Sequence, residues 1–165
     1  MPRYSIATAT DSANDRLILR AKNIFCRILG LGEIRLNFIR EDPAGHYQYE
    51  TPIAGFVHLN GQEIFIRRDI DIVRQLGAVV HECRHCWQMT QDKLRYASRS
   101  IKERDARLFE YEFTPPRDPK KIDEWLEERE IDIIRRDYCS GVKSQQKSFF
   151  RGREFQYPNT AGGET

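Results

Sequence analysis

The chain has 165 residues, 39% of them hydrophobic and 32% charged, with a formal charge of +2. That length supports one sizeable hydrophobic core and is short for two. The near-balanced charge gives no global field for nucleic acid or an anionic membrane, and no apolar run approaches the roughly 20 residues of a membrane span.

The N-terminal Met1-Pro2-Arg3-Tyr4-Ser5-Ile6-Ala7 lacks the apolar stretch of a signal peptide, so a cytoplasmic setting is expected. Residues 13–29 alternate apolar and polar positions at helical period, and Gly30 is placed to close that helix. Residues 33–39 alternate at period two and predict a strand. Asp42-Pro43-Ala44-Gly45 predicts a turn. Residues 55–59 and 63–67 predict two short strands joined through Asn60-Gly61, a hairpin signal. Residues 71–90 carry Ile72, Leu76, Val79, Val80, Cys83 and Trp87 at spacings of three and four, which predicts a helix with one buried stripe; Asp69 or Asp71 is its N-cap candidate. Residues 98–113 predict a second helix with Ala106, Phe109 and Phe113 inward and Leu108 to the flank. A break follows over 114–119. A charged helix is then expected over 120–138, packing through Trp125, Ile131 and Ile134. From Gly141 onward core residues are sparse and a flexible tail is expected. The domain is therefore expected to span 1–140, with 141–165 as the tail.

The chemistry concentrates in His81-Glu82-Cys83-Arg84-His85, an H-E-x-x-H sequence. Two histidines four apart on a helix stand one above the other, where both imidazoles reach one zinc ion. The intervening Glu82 is then the general base on a zinc-bound water. The histidine face lies roughly opposite the apolar stripe and continues through Gly77 and Ala78. Such small residues predict a low, open surface around the histidines. The plain alternative is a pair of solvated or core histidines with satisfied nitrogens, but it gives no role to the glutamate between them.

A third ligand must come from elsewhere. The chain has four histidines and none follows His85, so a downstream histidine is excluded unless His46 or His58 folds back. Cys139 and carboxylates remain. Glu103 and Glu110 share one face of the second helix beside Ala106, while Asp105 and Glu112 fall on another side. Glu103 is separated from His85 by enough chain to turn and return antiparallel. It is the first candidate, Glu110 the fallback and Asp105 the next. Two histidines and one glutamate leave a fourth position for water, as a catalytic zinc site needs. The alternative for Glu103 is a surface ion pair with Arg99 or Arg107.

The stretch Val79-Val80-His81-Glu82-Cys83-Arg84-His85-Cys86-Trp87-Gln88, followed by Glu103-Arg104-Asp105-Ala106 and Phe109, resembles the small zincin-like metallopeptidases of the gluzincin type. It is similar to ImmA/IrrE-like proteins and their relatives encoded by phages and mobile elements. The resemblance covers about residues 54–113. It implies an α+β, zincin-like fold, with a small, mainly antiparallel sheet packed against the active-site helix and a second ligand-bearing helix. It also implies His81, His85 and Glu103 as ligands of one Zn²⁺ and Glu82 as catalytic base. A phage-encoded member would work in the host cytoplasm.

From these readings follows zinc-dependent hydrolysis of peptide bonds in a protein or peptide substrate. An extended peptide would add to a sheet edge within 55–67. Tyr96, Tyr111 and His58 are candidates for a second donor to the substrate or the oxyanion. Two histidines and a carboxylate also describe a non-haem iron site, but the H-E-x-x-H spacing favours zinc. The competing function is a non-catalytic zincin-like domain that binds a protein partner, or nucleic acid through its tail. There Lys143, Lys147, Arg151 and Arg153 interleave with Phe149, Phe150, Phe155 and Tyr157. Tails of this kind more often stay disordered or dock on their own domain, so nucleic acid is not the expected partner. Cys83 and Cys86 form C-x-x-C but point away from the histidine face; with Cys26 they are expected as small buried hydrophobes, and Cys139 as exposed. Four scattered cysteines do not read as a disulfide framework.

Overall fold

The computed structural model describes residues 12–39 and 54–151, with side chains to residue 140. The turn expected at 42–45, His46 and the tail beyond residue 151 lie outside the described residues. The chain divides into two units, Met1–Glu130 and Ile131–Thr165. Helix α1 spans Ala13–Leu29, strands β1, β2 and β3 span Arg35–Ile39, Gly55–Val57 and Glu63–Arg67, and helix α2 spans Ile72–Thr90. A short α3 at Asp92–Arg95 precedes α4 at Arg99–Glu112; a 3-10 turn at Pro119–Lys121 leads into α5 at Ile122–Arg151. The fold is α+β. No helix among the described residues is long and apolar enough to cross a membrane.

Local chemistry sets the element ends. The Ser12 side chain accepts from the Asp15 amide, and Gly30 adopts φ 66°, a left-handed conformation that glycine enters without steric cost. Asp71 caps α2 by accepting from the Arg74 amide at 2.9 Å. Asp69 pairs with Arg67 instead. Gly61, at φ 68°, donates its amide to the His58 carbonyl and closes the β2–β3 turn.

The sheet has the order β1-β3-β2. It is mixed rather than mainly antiparallel. The short turn makes β2 and β3 an antiparallel hairpin, with Phe56 opposite Phe65. On the other side β1 runs parallel to β3, Arg35 opposite Glu63 through Ile39 opposite Arg67. Parallel pairing needs a connection of about a dozen residues or more, and β1 and β3 are far enough apart in sequence for one. Period-two patterning identifies a strand but carries no information about the direction of its partner.

The core lies where α2 meets α1, β2, β3 and α4. Leu76, Val79, Val80 and Cys83 of α2 and Ile18, Ala21 and Phe25 of α1 are fully buried. Phe25 packs edge-on to Phe109 and Phe113 at 6.2 and 5.4 Å, with Trp125 at 5.8 Å. Each ring pair adds about 0.5–1.5 kcal/mol beyond its burial.

Helix α5 corrects one expectation. Trp125 is buried, but Ile131 and Ile134 are exposed, and Ile122, Leu126 and Ile133 are also buried. Within the first unit the inward stripe runs 122, 126 and 129, with the Arg129 guanidinium 5.8 Å from the Phe113 ring centre. A long aliphatic stem let a charged residue occupy the stripe, which hid the phase of the helix. Backbone helicity also continues past Gly141 to Arg151.

Candidate metal centre

Helix α2 presents His81 and His85 side by side, and α4 crosses the same face carrying Glu103. His81 Nε2 is 3.1 Å from His85 Nε2. It is 3.4 Å from Glu103 Oε2, and His85 Nε2 is 3.5 Å from Glu103 Oε1. These three residues form a group able to hold a metal ion. Ligand bonds of about 2.0–2.2 Å at tetrahedral angles place donor atoms about 3.3–3.6 Å apart, and right angles bring them to about 2.8–3.1 Å. The imidazole pair lies in the right-angle range, and each imidazole's contact with Glu103, made to a different carboxylate oxygen, lies in the tetrahedral range; with one donor atom per residue, all within 4.8 Å of one another, the set fits an ion.

The other ring nitrogens are also engaged. His81 Nδ1 lies 3.1 Å from Glu110 Oε2, and His85 Nδ1 lies 2.9 Å from Gln88 Oε1. A carboxylate accepts only, so Nδ1 of His81 carries a proton there; an ion bound at Nε2 would take the place of any proton on that nitrogen. Gly77 makes room for this arrangement: a Cβ on it would come within 3.0 Å of Glu110 Oε1. The small residues before His81 therefore admit α4, rather than leaving the open face the sequence suggested. The His81 and His85 side chains are only 15% and 17% exposed.

The field of the site favours a cation. Burial opposes a charged His81, but the hydrogen bond to Glu110 and the charges of Glu82, Glu110 and Glu103 outweigh it and hold its pKa above the usual value. His85 is shifted the other way, by burial first and by its neighbour His81 among the lesser causes. Glu82 is 7% exposed. Burial pushes its carboxyl up to about 7, His81 works against that shift, and Glu103 and Glu110 add to it. A carboxyl titrating near neutrality in a dry setting is suited to exchanging protons.

Strand β2 forms the wall beside Glu82. A Cβ on Gly55 would meet the Phe65 carbonyl oxygen at 2.8 Å, Ile66 Cδ1 at 2.9 Å and Glu82 Cγ at 3.3 Å. The carbonyl belongs to a paired strand and cannot swing away. Gly55→Ala is therefore expected to push β2 off β3 and α2 and to cost about 1–3 kcal/mol, as other overpacking changes do. Urea unfolding measures this. A change under 0.5 kcal/mol would show that β2 yields freely.

The remaining candidates fall elsewhere. Asp105 is held by Arg84 through bonds of 2.8 and 2.9 Å, which keep its carboxyl below the usual range, and it is not part of the metal-competent group. Glu110 touches His81 from behind rather than completing the triangle. His58 sits in the β2–β3 turn, where its Nδ1 accepts from the Asn60 amide at 3.4 Å. Tyr96 and Tyr111 are 82% and 84% exposed. Tyr96 lies at the end of α3, and Tyr111 lines a surface groove on α4 together with Glu103. Cys26, Cys83 and Cys86 are buried and Cys139 is exposed. No cysteine joins the metal-competent group among the described residues. The hydrogen-bonding contact with Cys26, and then burial, drive the Cys83 thiol well up, as for an inert core thiol.

Sequence reasoning weighed Glu110 only as a ligand and passed over Gln88. Both had a local signal. Gln88 stands one turn after His85, and Glu110 two turns after Glu103 on the same face.

No protein-family model, no curated protein and no solved structure matches this chain.

Proposed function

We propose that the chain is a zinc-dependent metallopeptidase of the zincin-like, gluzincin type, in which His81, His85 and Glu103 hold the ion and Glu82 is the general base. The observation that carries this reading is the convergence of two imidazole nitrogens 3.1 Å apart with the two carboxylate oxygens of Glu103, at 3.4 and 3.5 Å, in a motif whose glutamate is buried. Two imidazoles and a carboxylate are the donor types of a catalytic zinc site, which keeps a fourth position free for water or substrate. When bound, zinc polarises the scissile carbonyl and lowers the pKa of its water toward about 7. Glu82 takes the proton from the attacking water on a carboxylate oxygen and passes it to the leaving nitrogen. Its buried setting against Gly55 keeps that oxygen free of competing solvent. Strand β2 is the edge of the sheet formed by the described residues. It packs on α2 beside Glu82, so an extended peptide paired to its open side would lie along the centre.

The alternative, a domain that holds a metal but binds a partner without cleaving it, leaves the buried glutamate unexplained. A buried carboxyl is costly, and catalysis gives it a purpose. The test is removal and return of the metal. A strong chelator is expected to abolish cleavage of a peptide library, and one equivalent of zinc to restore it. Zinc at a hundredfold over its Kd is also expected to stabilise the fold by about 2.7 kcal/mol, read as a rise in melting temperature. Cleavage that persists in metal-free protein would overturn the proposal.

A further inference from the structure

We propose that Gln88 is a positioning residue that fixes the tautomer of His85 and pins the turn of α4 that carries Glu103. This rests on the reading of His85 and Glu103 as ligands. Gln88 is fully buried. Its side-chain nitrogen lies 2.8 Å from the Lys102 carbonyl and 2.7 Å from Asp105 Oδ2. Both of those atoms only accept, so both amide hydrogens are committed and the side chain has one orientation. Its Oε1 therefore faces His85 Nδ1, at 2.9 Å. An amide oxygen has no proton to give, so Nδ1 must supply it. His85 is held as the Nδ1–H tautomer, with the Nε2 lone pair presented to the ion.

The same amide reaches the two residues that bracket Glu103. Lys102 precedes it, and Asp105 follows two positions later. One buried group thus orients a ligand on α2 and anchors the backbone beside a ligand on α4. Arg84 completes the brace. It holds both oxygens of Asp105 at 2.8 and 2.9 Å, and its guanidinium lies 3.8 Å over the Trp87 ring. A cross-link that served packing alone would need the bonds to α4, but not an oxygen turned toward His85.

The experiment is long-range ¹H–¹⁵N NMR of the histidine side chains in metal-free wild-type protein, with His85 assigned by loss of its signals in His85→Ala. The Nδ1–H tautomer is expected for His85, and the Nε2–H tautomer would overturn the proposal without any variant at Gln88. Zinc competition against a chelating dye then compares Gln88→Leu with Gln88→Glu. Leu removes the acceptor, and about a 10–100-fold loss of zinc affinity is expected, the usual effect of losing a ligand's outer partner. Glu keeps an oxygen for Nδ1–H but loses the donors to α4. It is expected to retain the tautomer and to bind zinc more tightly than the Leu variant, while melting lower than wild type. Zinc affinity within about twofold of wild type in a folded Leu variant would also overturn the proposal. A wild type that binds no zinc would count against the metal reading, while its tautomer still reports on Gln88.

Discussion

Glu82→Gln is expected to lower the cleavage rate by about 10²–10⁴-fold, the usual contribution of a positioned general base, while leaving about one zinc per chain. The change is isosteric, so the side chain still fits beside Gly55, whose missing Cβ leaves the space next to Cγ of residue 82. A neutral amide cannot take the proton of the attacking water. It also removes the electrostatic burden of a buried carboxyl, the cause of the upward shift of Glu82 to about 7. Stability is therefore expected to hold or rise, which separates lost chemistry from lost folding. The measurements are kcat on a cleaved peptide, zinc by elemental analysis and a thermal melt on the same preparation. Unchanged kcat would sink the peptidase reading. Loss of zinc with kcat would make residue 82 part of the metal's own shell, which the His81–His85–Glu103 triangle does not require.

The parts of this molecule that were legible in sequence are those fixed by neighbours along the chain. The end of α1 followed from Gly30, and α2 from the stripe through Leu76, Val80 and Cys83, with Asp71 one of the two N-cap candidates. His81 and His85 share a face because the helix repeat places them there, whatever surrounds them. Glu103 and Glu110 are different. They lie two turns apart on one face of α4, and only the height at which α4 crosses α2 decides which meets the two Nε2 atoms and which meets Nδ1 of His81. That height depends on Gly77, whose missing side chain leaves space for Glu110. The sequence displays the glycine but not what fills the space. The brace of Arg84, Asp105 and Gln88 was hidden for the same reason, since its bonds join residues 14 to 21 positions apart. The phase of α5 misled because Arg129 occupies an inward position, and the parallel pairing of β1 with β3 leaves no trace in alternation.

Removing the donors one at a time is expected to give an ordered series in metal affinity. His85→Ala deletes a donor whose Nε2 lies 3.1 Å from His81 Nε2 and 3.5 Å from Glu103 Oε1. Two donors cannot hold the ion as three do, so the loss is expected to exceed the 10–100-fold that follows from removing an outer partner, and elemental analysis should find no zinc after dialysis. Glu103→Ala removes the negative ligand and opens a second coordination position. The zinc that remains is expected to be weakly held and displaced by a mild chelator. Glu110→Ala leaves the triangle whole and removes only the acceptor behind His81 Nδ1. Its loss is expected to stay within about 10–100-fold, with zinc retained at equimolar supply. Glu110→Gln, which keeps an oxygen for the Nδ1–H, should recover most of that. The reverse order, with Glu110→Ala losing the ion and Glu103→Ala keeping it, would show α4 shifted on α2 by a helical turn or more. It would move the third ligand to Glu110, and Glu103 would then be the exposed carboxylate at the rim. Equal and small losses in all three variants would mean that zinc binds elsewhere, and the H-E-x-x-H sequence would lose its claim to the chemistry.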